Sequence, residues 1–264
     1  MLRKRVLSSL ALIPIIVAAI WFGDPWFTVL IALFAILGTA EFYRLAKAAG
    51  GEPAASLGFL LVLAFIIGAH STDERVPPLL VTTAILLPLI WLIWNQNRAK
   101  AFPSWAFTIA GVFYIGWTMS HFVLLRELAD GRDWVFMAIL GTFACDTTAY
   151  FIGRTFGKHK MAPSISPRKT WEGAIGGVIG SVAAVIVLAL VTGLDEVGYV
   201  KLVPLGFLLS IFAQIGDLSE SMLKRSSGVK DAGTLIPGHG GILDRLDSII
   251  FSVVLVYYYV QWIV

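Results

Sequence analysis

The chain has 264 residues, 58% of them hydrophobic and only 14% charged, with a formal net charge of +3. Its mean hydropathy is +0.82. An ordinary soluble domain is roughly 45–50% apolar and about 25% charged, so this composition excludes a soluble globule with a polar shell and makes lipid the main solvent. The single cysteine, Cys145, excludes an intrachain disulfide and a cysteine-rich metal site; lying in an apolar run, it reads as a small core residue.

Nine apolar stretches follow one another: 6–22, 26–43, 56–70, 78–94, 103–125, 134–153, 173–192, 201–217 and 248–264. Most are close to the ~20 residues that a membrane-spanning helix needs. The first has the basic head of a secretory leader, but its apolar run is long and a second span follows at once, so a retained helix is expected. Trp21, Trp26, Trp91, Trp94, Trp105, Trp134, Trp171 and Trp262 fall near the expected ends, as an interfacial aromatic belt requires. The expected fold is therefore an all-α, polytopic integral membrane protein of about nine transmembrane helices. Residues 1–264 are expected to form one membrane-embedded domain, with 1–130 mostly scaffold and 134–264 carrying the active site.

The bases set the orientation. With the N-terminus in the cytoplasm, only Arg75, Arg126, Arg132 and Lys201 of the 20 Lys and Arg residues fall on outer loops. The positive-inside rule then gives a cytoplasmic N-terminus and an extracytoplasmic C-terminus. The two longest connections, Gly153 to Glu172 and Leu218 to Asp247, both face the cytoplasm in this scheme and hold most of the unusual chemistry. Long loops are commonly functional.

Four features stand out there. Asp217 ends the eighth stretch and is followed by Ser219, Glu220, Ser221, Lys224 and Arg225. Asp244 and Asp247 in "DRLD" are three apart, on one face of a helix; taken alone, an N-cap and a first-turn acid explain them as well as metal ligation does. "PGHGG" places Gly238, Gly240 and Gly241 around His239, a turn that can bring backbone N–H groups to an anion. Asp146 lies inside the sixth stretch, ahead of Arg154, Lys158, His159, Lys160 and "SPRKTWEG", which supplies Ser166, Arg168, Lys169 and Glu172. An intramembrane acid is a functional candidate by default. Capping explains each Asp separately but not why phosphate-type bases crowd the same places, and Mg²⁺ takes one or two carboxylates plus substrate phosphates.

The stretch "SMLKRSSGVKDAGTLIPGHGGILDRLDS" resembles the signature of the phosphatidate cytidylyltransferases, or CDP-diacylglycerol synthases. Ser221, Lys224, Arg225, Lys230, Asp231, His239, Gly240, Gly241, Asp244, Arg245 and Asp247 stand at its positions. "DTTAYFIGRTFGKHKMAPSISPRKTWEG" is similar to the family's other loop. The likeness covers about the C-terminal half. It implies transfer from CTP to phosphatidic acid, giving CDP-diacylglycerol and pyrophosphate, with Mg²⁺ and K⁺ as a candidate second cation. It implies a homodimer in the bacterial cytoplasmic (inner) membrane, the site facing the cytoplasm, and no nucleic-acid partner. Expected metal ligands are Asp217, Ser221, Asp244 and Asp247, with Lys224 also catalytic. Arg225, Lys230, His239, Gly240, Gly241, Arg245, Ser166, Arg168, Lys169, Glu172 and Asp146 are expected to bind substrate or order the loops that do. A CTP-dependent lipid or polyprenol kinase would need a similar site. A cation or phosphate transporter would use Asp146 and Asp217 to line a path, although no internal repeat supports duplicated halves.

Overall fold

A computed structural model describes residues 2–94, 100–229, 232–233 and 240–264, with side chains from residue 12 onward. The elements run α1 (Leu2–Phe22), α2 (Trp26–Ala48), α3 (Ala55–Gly68), α4 (Val76–Trp94) and α5 (Ala101–Gly111). A π-helical segment (Val112–Trp117) continues directly into α6 (Thr118–Glu127), and α7 (Gly131–Phe156) follows. Then come β1 (Lys160–Ala162), β2 (Ser166–Thr170), α8 (Trp171–Thr192), a 3₁₀ turn (Leu194–Val197), α9 (Tyr199–Ser226) and α10 (Leu243–Ile263). The protein is an all-α polytopic membrane protein, as its composition demands. Among the described residues, seven helical stretches are long and apolar enough to cross a membrane, Ala101–Glu127 counting as one. Leu12–Phe22 and α3 are apolar but shorter. The 14 residues of α3 rise about 21 Å, short of a hydrocarbon core of about 30 Å.

Three boundaries differ from the hydropathy pattern in ways that matter. The α9 helix runs on to Ser226, so Asp217 lies within a helix rather than at its end. "SESMLKR" is polar and ends the apolar run, yet much of it has good helix propensity, and propensity decides where the helix stops. The α10 helix begins at Leu243, placing Asp244 in its first turn. The Gly153–Glu172 connection holds a small antiparallel hairpin, Lys160 opposite Thr170 and Ala162 opposite Ser166, where only helices and loop were expected.

The chain forms two compact units: Met1–Leu124 with Leu223–Leu246, and Leu125–Met222 with Asp247–Val264. In the first, α2, α3 and the π-helical segment build the core from Phe27, Ile31, Ala35, Val62, Phe65, Val112 and Ile115, all nearly or fully buried. Phe65 meets Phe113 and Trp117 with ring centroids 5.7 and 5.6 Å apart, and Tyr43 donates to the Thr108 carbonyl at 3.1 Å. In the second, α7 and α8 approach closely through a stripe of small residues. Gly173, Gly176, Gly177 and Gly180 face Ala149, Ile152, Cys145 and Thr148, the arrangement by which helices pack when lipid offers no hydrophobic drive. Thr142 donates to Ser252 at 2.7 Å, and Gln214 donates to Ser210 at 2.9 Å and to the Ala174 carbonyl at 3.2 Å.

In that unit, Gly206 of α9 lies against the backbone of α8: a Cβ there would stand 2.7 Å from Val182 Cα. Backbone cannot swing aside as a side chain can, so Gly206→Ile should destabilise by at least about 2 kcal/mol. The check is the thermal denaturation midpoint in detergent, which should fall for Gly206→Ile and stay put for Val200→Leu at an 89% exposed position.

Candidate active site

In the second unit the site is assembled on α9. Asp217 faces Lys169 from the hairpin, Nζ to Oδ2 2.7 Å, with both side chains largely withdrawn from solvent. One turn along, Ser221 donates to Asp217 Oδ1 at 3.4 Å. Asp146 of α7 lies within electrostatic reach of both Asp217 and Lys169. Three predicted residues, far apart in sequence, thus act on one another electrostatically, and two of them form an ion pair. Gly216 settles how close Asp247 comes. A Cβ on Gly216 would collide with the Asp247 carbonyl and press on Phe251 and Ser248, so the Asp217 turn of α9 sits directly on the beginning of α10. Asp247 itself accepts the Ser248 N–H at 2.7 Å.

The hairpin is pinned from its base. Glu172, in the first turn of α8, accepts the N–H groups of Lys158 and His159 at 3.1 and 3.2 Å and pairs with His159 Nδ1 at 2.6 Å. Thr170 caps the same helix, accepting the Gly173 N–H at 3.2 Å and satisfying one donor that a helix start leaves open. In this structure Glu172 therefore ties the loop to its own backbone, while Lys169 points inward to Asp217 and Arg168 stays exposed. Ser166 is half-buried on β2.

In the first unit the centre is Asp244. Its carboxylate takes Lys224 Nζ at 2.6 Å, the Gly241 N–H at 2.8 Å and the Ala232 N–H at 3.3 Å. Capping and charge pairing are thus combined in one side chain, and the acid holds Ala232 and Gly241 together. Gly240 has φ +89°, a conformation that glycine adopts without strain, and a Cβ there would lie 3.0 Å from Asp244 Oδ2. Arg225 and Arg245 are exposed. The predicted Lys230, Asp231 and His239 lie outside the described residues. One further acid belongs here that the motif reading passed over: fully buried Glu41 of α2 accepts the Leu243 N–H at 2.8 Å. An acid inside an apolar run was the available signal, the same one that marked Asp146.

Clustered acids, ammonium groups and helix-terminal N–H donors are equipment for binding and transferring phosphate esters. The model of the cytidylyltransferase family matches residues 3–263, and the chain belongs to that family. It is a nucleotidyltransferase embedded in a membrane. It is 32% identical to the phosphatidate cytidylyltransferase of Bacillus subtilis (strain 168) over 97% of each chain. To the phosphatidate cytidylyltransferase of Brucella abortus biovar 1 it is 36% identical, over 97% of this chain and 92% of the relative. The corresponding enzyme of Synechocystis is 33% identical over 97% and 96%. The resemblance seen in the C-terminal motif thus extends over nearly the whole length.

If Glu172 serves mainly to tie the hairpin down, Glu172→Ala should free residues 158–169 while leaving the helices intact. Limited trypsinolysis in detergent should then cut at Lys158, Lys160 or Arg168 several-fold faster than in the unsubstituted protein. Equal cutting rates would show that the carboxylate is not what holds the loop.

Proposed function

We propose that the chain transfers a cytidylyl group from CTP to phosphatidic acid, giving CDP-diacylglycerol and pyrophosphate, as the names of its relatives describe for those proteins. The observation that carries this reading is the pairing of two site acids with phosphate-type bases, Lys169 with Asp217 and Lys224 with Asp244, in a chain of the cytidylyltransferase family.

In the proposed reaction a phosphate oxygen of phosphatidic acid attacks the α-phosphorus of CTP. A new P–O bond forms, the bond between the α-phosphorus and the bridging oxygen breaks, and its electron pair leaves with pyrophosphate. The nucleophile is already an anion, so the protein's task is alignment and charge neutralisation. Lys169, Lys224, Arg225 and Arg245, with Lys230, would hold the phosphates and the leaving group. The Gly240–Gly241 turn and the start of α10 would offer N–H groups, helped by the helix dipole. Glu172 and Asp146 would keep the hairpin and Lys169 in place, and Ser166, Arg168 and His239 would meet nucleotide or lipid headgroup.

The donor set suits Mg²⁺. Asp217, Ser221 and Asp247 offer hard oxygen atoms, and Asp217 already forms an ion pair with an ammonium group at 2.7 Å. We assign these three to the metal, and Asp244 with them from its place one turn before Asp247 on α10. Bound there, Mg²⁺ would neutralise the triphosphate and the developing charge on the leaving group. K⁺ would serve as a second cation. We further propose a homodimer in the bacterial cytoplasmic membrane, with the N-terminus and the site on the cytoplasmic side, a reading that the distribution of Lys and Arg supports.

Purified protein in detergent, given CTP, phosphatidic acid and Mg²⁺, should release pyrophosphate and form CDP-lipid. Asp217→Asn and Asp247→Asn should each lower the rate at least about a hundredfold, and EDTA should stop it. Release of CDP with a phosphorylated lipid would instead identify a lipid kinase, and ion or phosphate flux into liposomes without nucleotide turnover would identify a transporter.

A further inference from the structure

Helix α2 is apolar over most of its length, yet it buries Glu41 completely. A buried carboxylate is costly unless it is paired and hydrogen-bonded, so its surroundings should show what the cost sustains. Its Oε2 accepts the N–H of Leu243, the first residue of α10, at 2.8 Å. A helix start leaves four such donors open, and an anion there is also favoured by the dipole. Glu41 thus caps α10 from another helix, about 200 residues away in sequence. Its Oε1 lies 3.6 Å from Arg44 Nη2 and has no hydrogen-bond partner among the described residues.

Two glycines abut this carboxylate. A Cβ on Gly233 or on Gly241 would run into Glu41. Neither residue is among those with positive φ, so backbone conformation does not demand glycine at either place; contact with Glu41 does. These positions adjoin the groups that hold Asp244. Gly241 gives its own N–H to Asp244, and Ala232, next to Gly233, gives another.

We propose that Glu41 is a positioning residue for cytidylyl transfer: from α2 it fixes Gly233, Gly241 and the start of α10, and so sets where Asp244 presents its carboxylate. The inference rests on the reading of Asp244 as part of the Mg²⁺ and nucleotide site.

The experiment compares purified Glu41→Ala, Glu41→Gln, Gly241→Ala, the double variant Glu41→Ala/Gly241→Ala and Asp244→Asn with the unsubstituted enzyme. CDP-lipid formation is measured per monodisperse folded protein as a function of CTP, phosphatidic acid and Mg²⁺. Glu41→Ala should lower kcat at least about tenfold, as a small misplacement of a reacting group does, and raise the Mg²⁺ concentration for half-maximal rate. It should leave the KM for phosphatidic acid unchanged. Glu41→Gln keeps an oxygen for the Leu243 N–H and should recover most of the rate. Gly241→Ala alone should be about as damaging as Glu41→Ala, but should cost little more once Glu41 is removed, because the added methyl group then has room. Multiplicative losses in the double variant, or a Glu41→Ala enzyme whose rate per folded molecule and Mg²⁺ dependence match the original, would overturn the proposal. If Asp244→Asn is fully active, the reading of Asp244 fails and the proposal with it; if Asp244→Asn is dead while Glu41→Ala is not, Glu41 alone has been misjudged.

Discussion

Lys169 meets Asp217 at 2.7 Å and Lys224 meets Asp244 at 2.6 Å, and on such pairs the proposed site depends. A chain that is 58% hydrophobic gives its acids little water to rely on. A charge in that setting must find an opposite charge or several hydrogen-bond donors close by. Removing one partner of a buried pair costs about 3–5 kcal/mol because the other is left stranded. The segments that bring these partners together are therefore held by the same groups that are proposed for the chemistry. Asp244 binds the turn and carries charge at once; Lys169 closes the hairpin onto α9 and brings a cation to Asp217.

The pairs meet only because backbones come close, and glycine permits that. Gly216 lets the Asp217 turn rest on the carbonyl of Asp247. The stripe from Gly173 to Gly180 draws α8 against α7, so the hairpin between them starts from a rigid base that Thr170 and Glu172 then secure. In lipid, hydrophobic burial does little to press helices together, and close packing with internal hydrogen bonds has to supply the cohesion. Precision at the site thus begins with residues that carry no functional group at all.

Much of this was legible in the sequence. Nine apolar stretches follow from hydropathy because lipid imposes one length and one polarity on every span. Asp217, Asp244, Asp247, Lys169 and Lys224 announced themselves as charges beside apolar runs. What the sequence could not express was partnership. Nothing in "SPRKTWEG" says that Lys169 turns to Asp217 while Glu172 turns back to the backbone of His159; that depends on a hairpin of eleven residues folding between two packed helices. Likewise the extension of α9 to Ser226 is a matter of helix propensity, which hydropathy ignores. Glu41 was visible as an acid in α2, but its meaning lies in a contact with Leu243, and no local pattern reports a contact over that separation.

For transfer between two phosphates, geometry is the main thing a protein can contribute. The attacking oxygen is already charged, so a tuned general base adds little, and rate follows from how firmly metal, triphosphate and acceptor are held in line. Residues that never touch substrate then acquire leverage. Glu41 behind the glycine turn and Glu172 beneath the hairpin both spend a negative charge on backbone N–H groups. Each holds a segment that carries a proposed site residue, Asp244 in one case and Lys169 in the other. Glu41 and Glu172 set shape through backbone N–H groups, while Asp244 takes both N–H groups and an ammonium group and so joins backbone and charge in one side chain.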